Sequence, residues 1–302
     1  MLKNVLLLVA IPCMTVFANT AMADVKVFAC EPEWSALAKE LGGDHVSAYS
    51  ATTAFQDPHH IQARPSLIAK LRRADLLICT GSQLEIGWLP ALLRQAGNSR
   101  VQPGQLGNFA ATDYVTMLGI PASVDRSQGD VHPGGNPHIQ TDARNMLLVA
   151  KALAERLKHI DSANESEYSK RYADFEKRWQ AALTRWEQKA APLRGVKIVV
   201  HHNSWVYLNN WLGTEQVASL EAKPGIPPTA GHLSEVLAHL KHEPAKMVIR
   251  AAYQQKRPDK WLSEHANIPA VALPFTVGGT DGAKDLFGLY DDTIAKLLKA
   301  IQ

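Results

Sequence analysis

The sequence is poor in cysteine, in net charge and in long apolar runs. Only three cysteines occur in 302 residues, and one of them, Cys13, sits in an apolar N-terminal stretch. Two are too few for a disulfide-dense scaffold or a four-cysteine metal site. The formal net charge of +3 is too small to mark a surface for nucleic acid or anionic lipid. Beyond the first 23 residues no stretch is long and apolar enough to cross a membrane. His-Glu-x-x-His and Gly-x-Ser-x-Gly are both absent, which removes the usual helix of zinc proteases and the nucleophile elbow of serine hydrolases. No period of roughly 20–50 residues recurs, so solenoids and propellers are excluded.

What is present begins with an export signal. Lys3 precedes an apolar run from Val5 to Phe17, and Ala21-Met22-Ala23 supplies the small residues of a cleavage site before Asp24. Residues 1–23 are therefore expected to be removed, and the product to be exported to the periplasm. A lipid anchor at Cys13 is disfavoured, because Pro12 stands where lipoprotein signals carry a small residue. Cys30 and Cys79 each end a predicted strand. They bond if those strands are neighbours; two inert buried thiols are the alternative.

The mature chain alternates apolar strand-like runs with helical periods, which implies α/β architecture with mainly parallel sheets flanked by helices. In the first half, strands are expected at Val25–Ala29, Val46–Ala51, Leu76–Cys79 and Tyr114–Leu118, with a helix from Leu84 to Ala96 among the intervening ones. In the second half they are expected at Ile198–Val200, Val217–Leu220, Met247–Ile249 and Ala270–Leu273. Between the two sets lies one long helical stretch from Asn164 to Ala191. Tyr168, Tyr172, Phe175, Trp179, Leu183, Trp186 and Ala190 fall on a single stripe at steps of three or four. Asn164 with Glu167 could form a capping box, and Pro192 ends the run. The stretch is either an amphipathic helix within one domain or a rigid strut between two lobes. The second reading divides the chain into a 24–163 lobe, a 164–192 connecting helix and a 193–302 lobe.

Twelve histidines are many for this length. Three stand where a loop meets a helix: His59 in Asp57-Pro58-His59-His60, His138 in Asn136-Pro137-His138, and His202 after the strand ending at Val200. Ligands of open α/β sheets bind at the carboxyl ends of strands, so the three could face one crevice. Taken singly, each is more often a hydrogen-bonding residue than a ligand. Three imidazoles and a carboxylate would complete a tetrahedron around Zn²⁺. Asp281, in the glycine-rich stretch Val277 to Gly282, could supply the acid, with Asp285 as the fallback; an Asp between glycines is also an ordinary turn residue. His132, in the Gly- and Pro-rich loop of residues 123–137, could visit a metal or be a plain loop histidine.

Five segments in order carry a resemblance. They are Asp57-Pro58-His59 with Pro65-Ser66; Ala74-Asp75-Leu76 with Gly81; Asn136-Pro137-His138; His202-Asn203-Ser204-Trp205 with Tyr207; and Glu221-Ala222-Lys223-Pro224-Gly225-Ile226-Pro227-Pro228. The whole mature chain resembles the zinc/manganese family of periplasmic solute-binding proteins that serve ABC transporters. That resemblance implies two α/β lobes joined by a single long helix, with a metal held between them and no catalysis. It implies His59 rather than His60, His138, His202 rather than His201, and an acid for which Asp281 is the nearest match. Glu221 is then expected beside the ligands. Manganese-specific members carry Glu at the third place, so His202 favours Zn²⁺ over Mn²⁺. The long histidine-rich loop of many zinc members is missing here.

The expected function is zinc capture and delivery to a membrane permease, by a monomer, with loading by a periplasmic metallochaperone left open. Affinity should fall on acidification, because ligand imidazoles must be neutral. The alternatives are a zinc hydrolase with water in the fourth position, or a surface adhesin on the same scaffold. The missing hydrolase motifs speak against the first, and the missing lipoprotein signal against the second.

Overall fold

The computed structural model describes residues 24–124 and 129–302; the expected leader and its cleavage after Ala23 lie outside the described residues. Among the described residues, no helix is long and apolar enough to cross a membrane.

Two four-stranded parallel sheets form the frame. The first has strands β1 (Val25–Ala29), β2 (Val46–Ser50), β3 (Leu76–Cys79) and β4 (Asn108–Ala110) in the order β2-β1-β3-β4. The second repeats that order with β5 (Lys197–Val200), β6 (Glu215–Ser219), β7 (Met247–Ala251) and β8 (Ala270–Leu273) as β6-β5-β7-β8. Central strands β3 and β7 are buried along their whole length, as expected where helices cover both faces of a parallel sheet. Arg250 in β7 is kept there by Asp259, 3.4 Å away.

Helices α1 (Pro32–Gly42), α2 (Pro65–Arg72), α3 (Leu89–Ala96) and α4 (Ala143–Ile160) belong to the first lobe, and α6 (Val206–Leu212), α7 (Ala230–Leu240), α8 (Lys256–Ala266) and α9 (Leu286–Ala300) to the second. Proline in the first turn starts α1, α2 and α3, where its missing N–H costs nothing. Asp142 caps α4 by accepting from the Arg144 N–H at 2.8 Å.

Between the lobes runs α5 (Glu165–Ala190), 26 residues and therefore about 39 Å long. Its stripe is buried at Tyr168, Phe175, Trp179, Trp186 and Ala190, while Tyr172 and Leu183 are partly covered. Each large aromatic hides roughly 150–250 Å², or roughly 4–6 kcal/mol of apolar burial at about 25 cal/mol per Å². The helix touches both lobes. Trp179 Nε1 donates to the Ala143 carbonyl at 2.8 Å on one side, and Trp186 Nε1 donates to Asp291 Oδ1 at 2.9 Å on the other. One continuous core thus extends from Val25 to Leu297.

Three local expectations are corrected. The fourth strand of the first sheet is Asn108–Ala110, where Phe109 is buried beside Ile78, and not Tyr114–Leu118. The later segment bonds elsewhere: Leu118 N–H donates to Tyr207 Oη at 3.0 Å, and the Leu118 carbonyl accepts from Asn136 N–H at 2.8 Å. Helix α3 starts at Leu89 and not Leu84, because the Glu85 side chain folds back to accept from Thr80 N–H at 2.8 Å. Asn164 makes no capping hydrogen bond; its side chain instead donates to Asp161 Oδ2 at 2.8 Å.

Cys30 and Cys79 are bonded, which the adjacency of β1 and β3 permits with a Cα–Cα distance of 4.8 Å.

Three carboxyls, Glu31, Glu33 and Glu85, are buried near that bond. Glu33 is tied across the lobes to Thr276, whose hydroxyl also accepts from the Glu33 N–H at 3.1 Å. Burial pushes Glu33 up to about 7, against the opposing hydrogen bond from Thr276. The ordinary unfolded value is about 4.3, so between those two values the folded chain holds a proton that the unfolded chain releases. Stability from this group is therefore complete below the unfolded value and declines as pH rises toward 7. Glu33→Gln should accordingly raise the melting temperature of the metal-free protein at pH 8, by about 2–4 °C for each kcal/mol recovered, and leave it nearly unchanged near pH 4.5. Melting curves across this range check the sign.

Candidate metal centre

The carboxyl ends of both sheets face one cleft. His59 lies in the loop after β2, His138 in the loop between β4 and α4, and His202 two residues beyond β5. Their ligand atoms lie within 4.8 Å of one another, and all three side chains are buried. Ring centroids are 5.4 Å apart for His59 and His138, 5.8 Å for His59 and His202, and 5.8 Å for His138 and His202. A cavity of about 290 Å³ opens onto His59 and His202 and is bordered by Asp57, Glu221 and Tyr253. His138 lies deeper, 1 % exposed and packed 5.3 Å from the Phe275 ring.

Carboxylates orient two of the rings. Asp57 Oδ1 lies 2.8 Å from His59 Nδ1, and Glu221 Oε2 lies 2.6 Å from His202 Nδ1. Such pairing fixes the tautomer and leaves Nε2 bare toward the centre, as in metal sites where a carboxylate backs a ligand histidine. Glu221 is in turn held by the Gly225 N–H at 2.7 Å. His138 Nδ1 is buried and has no hydrogen-bond partner among the described residues.

Electrostatics favour the neutral form of His138. Burial, reinforced by the neighbouring imidazoles of His59 and His202, holds His138 well below the usual histidine range. Burial alone would raise the Asp57 carboxyl, but the side-chain and backbone hydrogen bonds from His59, together with the charges that His59 and His60 would carry, outweigh it and hold the carboxyl below its ordinary value. Burial first, then the carboxylates of Asp57 and Glu221, push the Tyr253 phenol up, so it stays protonated.

The adjacent histidines point elsewhere. His201 Nδ1 meets Asp259 Oδ1 at 3.0 Å, and His60 is exposed with Nε2 3.6 Å from Asp130 Oδ2. Asp281 is not brought to the imidazoles. Its loop closes on itself as a turn, Gly278 N–H donating to the Ala283 carbonyl at 2.6 Å, and leaves Asp281 exposed. Asp285 caps α9, accepting from Gly288 N–H at 2.7 Å. Instead His132 approaches, with Nε2 3.3 Å from His59 Nε2. Burial first, then the charge His59 would carry, push His132 down to about 4. Of the two readings the sequence left open for this loop histidine, the approach to the metal-ligand candidates is the one the structure shows.

Residues 27–302 match the protein family described as zinc-uptake complex component A, periplasmic. The chain belongs to this family. It is a substrate-binding component of the metal ABC transporter class, not an enzyme. It is 24% identical over 249 residues to the manganese ABC transporter substrate-binding lipoprotein PsaA of Streptococcus pneumoniae, covering 80% of this chain and 76% of the relative. It is 24% identical over 282 residues to the iron ABC transporter substrate-binding lipoprotein MtsA of Streptococcus pyogenes serotype M1, covering 90% and 86%. Among solved structures, the crystal structure of ZnuA aligns with a TM-score of 0.76 at 19% identity, over 92% of this chain and all of that one. A manganese-bound periplasmic metal-binding protein from Candidatus Liberibacter asiaticus aligns at 0.73 and 16% identity, over 91% and 99%. The two-lobed fold with its connecting helix is thus the fold of this family, and the cargo is a divalent metal. The relatives' names divide among manganese, iron and zinc.

Proposed function

We propose that the chain captures Zn²⁺ in the periplasm and hands it to the membrane permease of an ABC importer, with His59, His138 and His202 as donors. The observation that supports this is the convergence of three buried imidazoles from three loops and both lobes, within 4.8 Å of one another. Nitrogen donors suit zinc, whereas manganese takes more oxygen ligands. The carboxylates of Asp57 and Glu221 lie behind the rings, hydrogen-bonded to Nδ1 of His59 and His202, and so raise donor strength without adding oxygen to the coordination sphere. A single copy provides every donor, so a monomer suffices. Because donors come from both lobes, bound metal ties them together, and release at the permease requires the lobes or their loops to part.

Metal analysis of protein purified without chelator, followed by competition between Zn²⁺ and Mn²⁺, tests the cargo. Zinc is expected to be retained and to displace manganese. Preferential retention of manganese would overturn the assignment.

A further inference from the structure

We propose that His132 is the fourth metal donor and that residues 129–137 are a strap fastened to both lobes to carry it; this rests on the zinc-binding reading above. Two nitrogens on one tetrahedral Zn²⁺, each at about 2.0–2.1 Å, stand about 3.3 Å apart. His132 Nε2 and His59 Nε2 are separated by 3.3 Å, with ring centroids at 5.4 Å. His59 Nδ1 is engaged by Asp57, so the atom that faces His132 is the one free to bind. The contact is a hydrogen bond between two imidazoles. The triad meeting within 4.8 Å does not include His132, so completing the tetrahedron takes a shift of its ring toward His138 and His202.

The strap is built to hold that ring near. Asp130 N–H donates to the Pro224 carbonyl at 2.8 Å in the second lobe, and Ser82 Oγ donates to the Gly135 carbonyl at 3.1 Å in the first. Asn136 Nδ2 donates to the Asn203 carbonyl at 2.6 Å, beside His202. Glycine is required on both sides of the seam. A Cβ at Gly129 would collide with the Pro224 carbonyl oxygen, and one at Gly225 with the Asp130 carboxylate; both residues also have positive φ, +84° and +76°. Asp281, the carboxylate that could compete for the fourth place, lies exposed on its closed turn. A fourth nitrogen would also sharpen discrimination against metals that prefer oxygen.

X-ray absorption at the zinc edge and zinc titration, on the full chain and on the His132→Ala, Asp281→Ala and His59→Ala variants, test the proposal. Loss of second-layer partners already costs roughly tenfold to a hundredfold in metal affinity, so His132→Ala should weaken zinc binding at least about tenfold. It should also exchange one imidazole for a water oxygen in the spectrum, while Asp281→Ala leaves both readouts unchanged. An unchanged spectrum and affinity in His132→Ala overturns the proposal, as does loss of a donor in Asp281→Ala. His59→Ala reports on the underlying reading separately: undiminished zinc binding there would sink the three-histidine site itself.

Discussion

His138→Leu should abolish high-affinity zinc binding and at the same time make the metal-free protein more stable. The binding side follows from donor count. Zinc bound by four protein ligands is worth about 10–16 kcal/mol, so one donor carries roughly 3 kcal/mol, or at least about a hundredfold in affinity. His59→Ala and His202→Ala should each show a loss of the same order. The stability side follows from burial. His138 is 1 % exposed and its Nδ1 has no hydrogen-bond partner. An unsatisfied buried polar group costs about 1–3 kcal/mol, and leucine removes that group in contact with Phe275 without leaving a large cavity. A purely structural histidine would behave in the opposite way, since its loss would lower the melting point. Isothermal titration and apo-protein melting, read together, separate the two; a variant that binds zinc normally or melts lower shows that the imidazole serves packing and not cargo.

Reducing the Cys30–Cys79 bond, or replacing both residues by Ala, should cost about 4 kcal/mol. The bond closes a loop with a sequence separation of 49 residues, and the chain-entropy estimate for that length is about 4 kcal/mol. Both cysteines are buried, Cys30 fully and Cys79 at 4 % exposure, so reductant should act slowly on the folded protein. The bond joins the carboxyl ends of β1 and β3, the two central strands of the first sheet, beside Glu85 and behind the cleft. Denaturant unfolding with and without reductant measures the cost. Equal midpoints in the two conditions would mean that the unfolded chain gains no freedom from losing the bond. Zinc affinity should change little, because His59, His138 and His202 are not placed by that bond.

The convergence of the three histidines was legible because each stands where a strand or loop meets a helix and two of the three follow a proline, so their shared place in the strand-to-helix rhythm was visible without coordinates. The strut was legible for a related reason. A stripe of aromatics at helical spacing must be covered, and a stretch of this length is covered by two lobes more readily than by one. Less was visible at Tyr114–Leu118. Apolar alternation marked it as a strand, yet its backbone partners are Tyr207 and Asn136, which come from distant parts of the chain.

The donor proposed for the fourth place was visible in the sequence only as a loop histidine that could visit a metal. Asp281 stands in a glycine-rich loop that forms a closed turn, and a turn conformation satisfies its own backbone wherever it sits. His132 looks like an ordinary loop residue until Gly129 and Asp130 seat against Pro224 and Gly225 in the other lobe. By itself, the order of residues determined the periodicities, the positions of the strand ends and the set of imidazoles available. The resemblance already singled out His59 over His60 and His202 over His201; only the tertiary structure decided how those rings are held and which loop reaches the cleft. The physical reason is that a side chain's chemistry is carried by its own position, whereas its direction is set by hydrogen bonds and close contacts with chain many residues away.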